Sequence, residues 1–156
     1  MIQDLQDFAA GFPEAAQWLG VALVSAIPFV ESYFGSIIGV LLGLHPAIAI
    51  AVAVLGNLVS MAIVVIAAGA VRQRATRDST KELSPRRAKL KQRFDRFGVA
   101  GFSLLGQTLL PSQITSAAMV SFGASRNAVL FWQTISIILW GTAFGVLATL
   151  GVNLAA

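Results

Sequence analysis

Glu31 is the only ionisable residue set in the middle of an apolar stretch of this chain. A carboxylate in such surroundings is costly unless it is paired, hydrated or protonated. A group under that pressure can exchange a proton for a cation, and this is the chemistry Glu31 offers. With Ser32 it also stands near the start of a half-helix, where a negative charge meets the positive end of the helix dipole. A cap and a proton carrier are compatible roles. Gln107, Ser112, Gln113, Thr115 and Ser116 are uncharged donors and acceptors gathered around Pro111. They are suited either to line a polar cavity opposite Glu31 or to satisfy backbone groups freed by a break in a helix. Asn57, with Ser60 close behind it, lies midway along a further apolar run, as do Gln133 and Thr134. Polar residues so placed commonly bond neighbouring helices.

Most other chemistry is excluded. The chain has no cysteine and one histidine, His45, so there is no thiolate nucleophile and no His-cluster metal site. No serine–histidine–carboxylate set and no glycine-rich phosphate loop ending in lysine is present. The expectation is a protein that is not an enzyme, with no catalytic residue, no metal ligand and no cofactor.

The elements that must carry these residues follow from hydropathy. Of 156 residues, 56% are hydrophobic and 12% charged, against about 25% charged in soluble domains. Four apolar stretches form two pairs: 15–43 with 46–71, and 98–123 with 126–153. The second and fourth are long enough to span a bilayer, which takes about 20 residues. The first and third are interrupted, at Ile27 to Ser32 and at Leu110 to Gln113, and each half is too short to cross alone. Proline removes a backbone donor and pushes the residue before it out of helical geometry. Each interrupted stretch therefore reads as a re-entrant hairpin, with a proline-kinked span as the alternative.

Charge sets the topology. Ten of the eleven Lys/Arg residues lie between Arg72 and Arg96, and Arg126 stands alone outside that segment. A basic segment between apolar halves reads as a cytoplasmic loop, 72–97, and not as a nucleic-acid site. With two hairpins, Arg126 also falls inside and the acidic N-terminus outside. Four full spans would reverse both. The fold class predicted is an all-α integral membrane protein with two inverted repeats, each a hairpin plus a transmembrane helix, forming one domain in the inner (plasma) membrane.

Smaller features complete the plan. Residues 1–14 read as an interfacial helix with Ile2, Leu5, Phe8 and Ala9 on one face, and not as a signal peptide. Ser84 and Pro85 mark a helix start. Leu90, Phe94 and Phe97 then recur among basic residues, as in a helix lying on an anionic inner leaflet. Gly35, Gly39 and Gly43, and Gly141 and Gly145, are spaced for close helix packing. They predict a homo-oligomer, most simply a dimer. Trp18, Trp132 and Trp140 read as packing or interfacial residues.

The run Ala26-Ile27-Pro28, then Glu31, Gly35 and Gly39, with Gly56-Asn57 after it, resembles the small multidrug export protein family. Leu110-Pro111, Ala117-Ala118 and Gly123 fit the same pattern. The architecture is also distantly similar to the DedA membrane proteins, which have paired re-entrant hairpins and are linked to lipid-carrier translocation. That second resemblance implies an acidic residue in the first hairpin, matched by Glu31. It also implies arginines around the second proline, where this chain has Gln107 and Gln113. The function expected is proton-coupled export of a small cationic or amphipathic substrate. The alternatives are translocation of a polyprenyl phosphate carrier, or an accessory membrane protein without a substrate.

Overall fold

The computed structural model describes residues 2–75, 85–107 and 109–155, and these are helical with no strand among them. Helices α1 (Ile2–Ala10), α2 (Gln17–Ser25), α3 (Glu31–Leu41), α4 (Pro46–Ala75), α5 (Pro85–Gly106), α6 (Ser112–Phe122) and α7 (Arg126–Ala155) follow one another, with a single 3₁₀ turn at Glu14–Ala16. Ser84 lies outside the described residues, and α5 opens at Pro85. Helix α4 runs four residues past the expected end at 71.

Both interrupted stretches turn back on themselves. Gly35 lies against Ser25, and a β-carbon built on Gly39 would come 3.4 Å from Val21. Those pairings run in opposite directions along α2 and α3, as only an antiparallel hairpin allows. In the second stretch a β-carbon on Gly106 would come 3.4 Å from Thr115. The Ser103 hydroxyl lies 3.9 Å from the Met119 sulfur, so α5 and α6 are also antiparallel. The proline-kinked span is thereby set aside. At 1.5 Å per residue, helices of 9 or 11 residues such as α2, α3 and α6 each fall well short of a bilayer core about 30 Å thick. Helix α5 is kinked at Gly98 (φ 65°), which leaves a half-helix of similar length before Gly106.

The chain divides into two compact units. One holds Met1–Ser60 and Ile137–Ala156, the other Met61–Ser136. Each contains a hairpin, the first half of the long helix that follows it, and the second half of the other long helix. The elements recur at a fixed spacing. Helix α4 starts at Pro46 and α7 at Arg126, 80 positions on, and each is 30 residues long. Helices α3 and α6 are 11 residues each. Gly43 and Gly123, also 80 apart, both end a helix with positive φ (82° and 115°), as a left-handed cap requires. Gly43 has open space around it, so it serves this turn and not helix packing.

Polar and apolar residues are distributed unlike those of a soluble protein. Glu31, Asn57, Gln107, Gln113, Thr115, Gln133 and several serines are buried. Leu55, Val59, Ile63, Ile66 and Val71 on α4, and Phe131, Leu139, Leu147 and Leu150 on α7, are exposed. Only 33% and 22% of the most apolar parts of α4 and α7 are buried. A soluble core helix would be largely covered. These two helices are long and apolar enough to cross a membrane.

The other expected glycines act within the first unit. A β-carbon on Gly39 would come 2.7 Å from that of Ala49, and one on Gly141 would come 2.9 Å from Val54. Gly35 packs on Ala53, and Gly145 on Ile50 and Ser36. These faces are used inside one chain and no longer argue for a second copy. Helix α1 packs on α2: its Ala9 is fully buried, 2.8 Å from the β-carbon position of Gly20. The apolar face of the basic helix is likewise partly consumed, since Phe94 stacks near Phe102 and Phe122 at 6.0 and 5.9 Å.

The tightest approach is at Gly56, where a β-carbon would collide with the Ala22 carbonyl. Backbone cannot yield as a side-chain end can. Gly56→Ala is therefore expected to destabilise the protein by about 1–3 kcal/mol. Gly151→Ala, with nothing within 4 Å, is expected to leave stability unchanged or raise it. Thermal unfolding in detergent checks both.

Candidate functional site

The first break is built on a turn. Pro28 follows Ile27, and the Val30 N–H donates to the Ile27 carbonyl at 3.1 Å. Phe29 has φ 72°. Proline second and a positive φ third are the marks of a type II turn, whose third place ordinarily takes glycine. Glu31 then follows with φ 54°, its own N–H donating to Ile27 at 3.2 Å. Two consecutive non-glycine left-handed residues are avoided even here, since Val30 between them is right-handed. Each left-handed residue costs about 1–3 kcal/mol, so the surrounding structure holds this tip in place.

That hold is visible in hydrogen bonds. Ser60 on α4 donates to the Ala26 carbonyl at 2.8 Å, satisfying a group left over where α2 stops. The Tyr33 hydroxyl donates to the Phe29 carbonyl at 3.1 Å. Ser32 donates to the Ile137 carbonyl of α7 at 2.9 Å, and Ser36 to the Ser32 carbonyl at 2.6 Å. Glu31 is fully buried in this setting, as is Asn57, and both have interaction partners. Glu31 lies in the first turn of α3, and Val30 before it contributes no side-chain cap.

The second break is chemically different. Pro111 stands directly before α6 with φ −54° and ψ 146°. Thr115 donates back to the Pro111 and Ser112 carbonyls at 3.2 and 3.1 Å, and accepts from Gln133 Nε2 at 3.0 Å. The Ser112 hydroxyl lies 3.4 Å from Gln113 Oε1. Ser136 reaches both the Ser103 carbonyl, at 2.9 Å, and Gln107 Oε1. The Ser116 hydroxyl and Gln133 Oε1 are buried and have no hydrogen-bond partner among the described residues. These bonds link amides, hydroxyls and backbone carbonyls.

The sequence-predicted residues thus fall into two sets. Glu31, Ser32, Asn57 and Pro28 belong to the first unit, and Gln107, Pro111, Ser112, Gln113, Thr115 and Ser116 to the second. All of the polar ones are buried. The reading of the sequence missed Ser36, Ser103 and Ser136. The three-residue step from Gln133 to Ser136, which places both on one helix face, is the signal that marks Ser136. Of three cavities of about 350 to 430 Å³, none is lined by Glu31. Thr115 lines the one of about 350 Å³, among Leu90, Phe97, Phe102 and Leu105. No cluster of three potential metal ligands exists among the described residues.

Comparison with protein-family models, curated proteins and solved structures gave no match.

The strained tip generates a specific expectation. Phe29 is 58% exposed, so its replacement loses little packing. Phe29→Gly is expected to raise stability by about 1 kcal/mol, while Phe29→Ala keeps the strain and gives no gain. Paired thermal melts of the two variants measure the difference.

Proposed function

We propose that this chain is a multi-pass inner-membrane transporter built as two inverted repeats. It exports a small cationic or amphipathic substrate, with Glu31 as the proton-binding group. The observation that carries the reading is the complete burial of Glu31 at a strained helix break. An uncharged serine would cap a helix as well, so a carboxyl at that place needs a further use. The exposed apolar faces of α4 and α7 support a bilayer as the surrounding medium. The 80-residue recurrence supports a duplicated unit, and broken helices in paired repeats are the arrangement in which secondary transporters place their sites. The resemblance to the small multidrug export family points the same way. Burial of Glu31 corresponds to an occluded stage, and the cycle opens it to water on alternate sides.

The translocation of a phosphate-bearing lipid carrier is the second reading. The network around Pro111 favours a cation over it, because Gln107, Ser112 and Gln113 provide no fixed positive charge to hold a phosphate. An accessory protein without a substrate is the third.

The topology comes first. A cysteine placed at position 3 is expected to react with an impermeant thiol reagent from outside the cell, and the 72–97 loop to be accessible only from the cytoplasm. Labelling of position 3 from the cytoplasm alone removes the inverted arrangement.

Glu31 itself is tested by pH. If a cation and a proton compete for the carboxyl, substrate binding strengthens as pH rises through its titration. Glu31→Gln is expected to abolish proton-coupled flux in reconstituted vesicles and to flatten that profile. Glu31→Asp should retain coupling with a shifted optimum. A mere cap predicts an unchanged profile and a stability loss of about 0.3–1 kcal/mol. A lipid-phosphate carrier predicts tighter binding after neutralisation.

A further inference from the structure

A cavity of about 430 Å³ lies within the second unit, at the junction of α6 and α7 with the last turns of α4. It is lined by two guanidinium groups, Arg72 from α4 and Arg126 from the start of α7, together with Gln73 and Ser125. Among the described residues no acidic one lines it. We propose that this cavity binds a phosphate-type anion, the group being either free phosphate or the headgroup of an acidic phospholipid.

Four observations lead there. First, Arg126 has been given room. A β-carbon on Gly69 would collide with its Nε, so a glycine in α4 is what allows the guanidinium to lie across the helix. Among the described residues Arg126 makes no side-chain hydrogen bond or ion pair. Second, Arg72 is held in position, since its Nη1 donates to the Val120 carbonyl at 3.3 Å, and a β-carbon on Gly123 would come 3.5 Å from its Nη2. Third, Ser125 caps α7 by accepting from the Ala128 N–H at 3.2 Å. That bond uses an oxygen lone pair and leaves the hydroxyl proton to donate. Two guanidiniums, a hydroxyl and the positive end of a 30-residue helix are together a match for a tetrahedral oxyanion.

The fourth observation is the repeat. Eighty positions away, the counterparts of Arg72, Arg126, Ser125 and Gly69 are Val152, Pro46, His45 and Thr149. The same helices form there without any arginine, so the fold does not require the pair. Setting topology needs only positive charge near a helix end. It does not need an enclosed cavity with a glycine cleared for one guanidinium. Every residue that lines the cavity belongs to the second unit and Glu31 to the first, and the inference stands without the transport reading. Only the phospholipid source rests on the proposed membrane orientation.

The test is titration of the purified full chain in detergent with inorganic phosphate and, separately, with dioleoylphosphatidylglycerol, followed by calorimetry and native mass spectrometry. Dioleoylglycerol is the uncharged control. Saturable binding of either anion at one site is expected. Arg126→Gln and Gly69→Ala should each weaken it at least five-fold. The second variant keeps every charge and moves only the guanidinium, and unchanged circular dichroism verifies that both variants fold. Arg86→Gln, on the exposed face of α5, should leave it unchanged. Binding of phosphate, with displacement of the lipid, assigns a free anion, and binding of the lipid alone assigns a headgroup. Failure of both probes overturns the site, as does an equal loss from Arg86→Gln, which would mean diffuse charge. Glu31→Gln should leave these affinities unaltered, so the anion site and the proton-coupling proposal stand or fall separately.

Discussion

The contact between Gly56 and the Ala22 carbonyl sets the geometry of the first unit. Only hydrogen fits there, so α4 comes down onto the backbone of α2. One turn along both helices, the same approach lets Ser60 reach the Ala26 carbonyl. With that group satisfied, the chain can leave the helix, turn over Pro28 and Phe29, and begin α3 at Glu31. Gly141 and Gly145 do the corresponding service for α7, bringing it against Ser32 and Ser36 of α3. A break in a helix is affordable away from water only where such neighbours answer its freed groups. The site residues and the packing residues are in this sense one system.

The two breaks answer the same problem with different chemistry. The first uses strained backbone, a tight turn and a single buried carboxyl. The second uses side chains that bond the break's own carbonyls, with Thr115 linking them to Gln133 of α7. Among the described residues the Ser116 hydroxyl and Gln133 Oε1 of the second network have no hydrogen-bond partner. Buried orphan groups are infrequent in folded proteins and generally mark a place for water or a ligand. The transport proposal rests on the buried carboxyl of the first unit and the uncharged side chains of the second.

Much of this was readable from residue types. The two long helices announced themselves by length and hydropathy, and the broken stretches by proline next to polar residues. Pro46 and Pro85 each open a helix where a first-turn proline is tolerated. The repeat was blurred because its prolines are poor landmarks. Pro28 sits inside a turn three residues ahead of α3, whereas Pro111 stands directly before α6. Aligned on the glycine caps at 43 and 123, the elements fall into register. The left-handed backbone at Phe29 was invisible, because neither phenylalanine nor glutamate signals it. The glycine faces were legible as packing surfaces but not in their partners. Small residues state that something comes close and do not say what. The convergence of Arg72 and Arg126, 54 positions apart in sequence, is a purely tertiary fact.

The division of the long helices has a consequence for the order of assembly. The second unit is continuous in sequence, from Met61 to Ser136, whereas the first also needs Ile137–Ala156. During synthesis the first hairpin therefore emerges early but waits for the last twenty residues before its unit is whole. Until then Ser32 lacks its acceptor on Ile137, and α3 lacks the glycines of α7. The half that begins first is finished last. A chain shortened at its C-terminal end would lose packing beside its N-terminal hairpin, far from the cut in sequence.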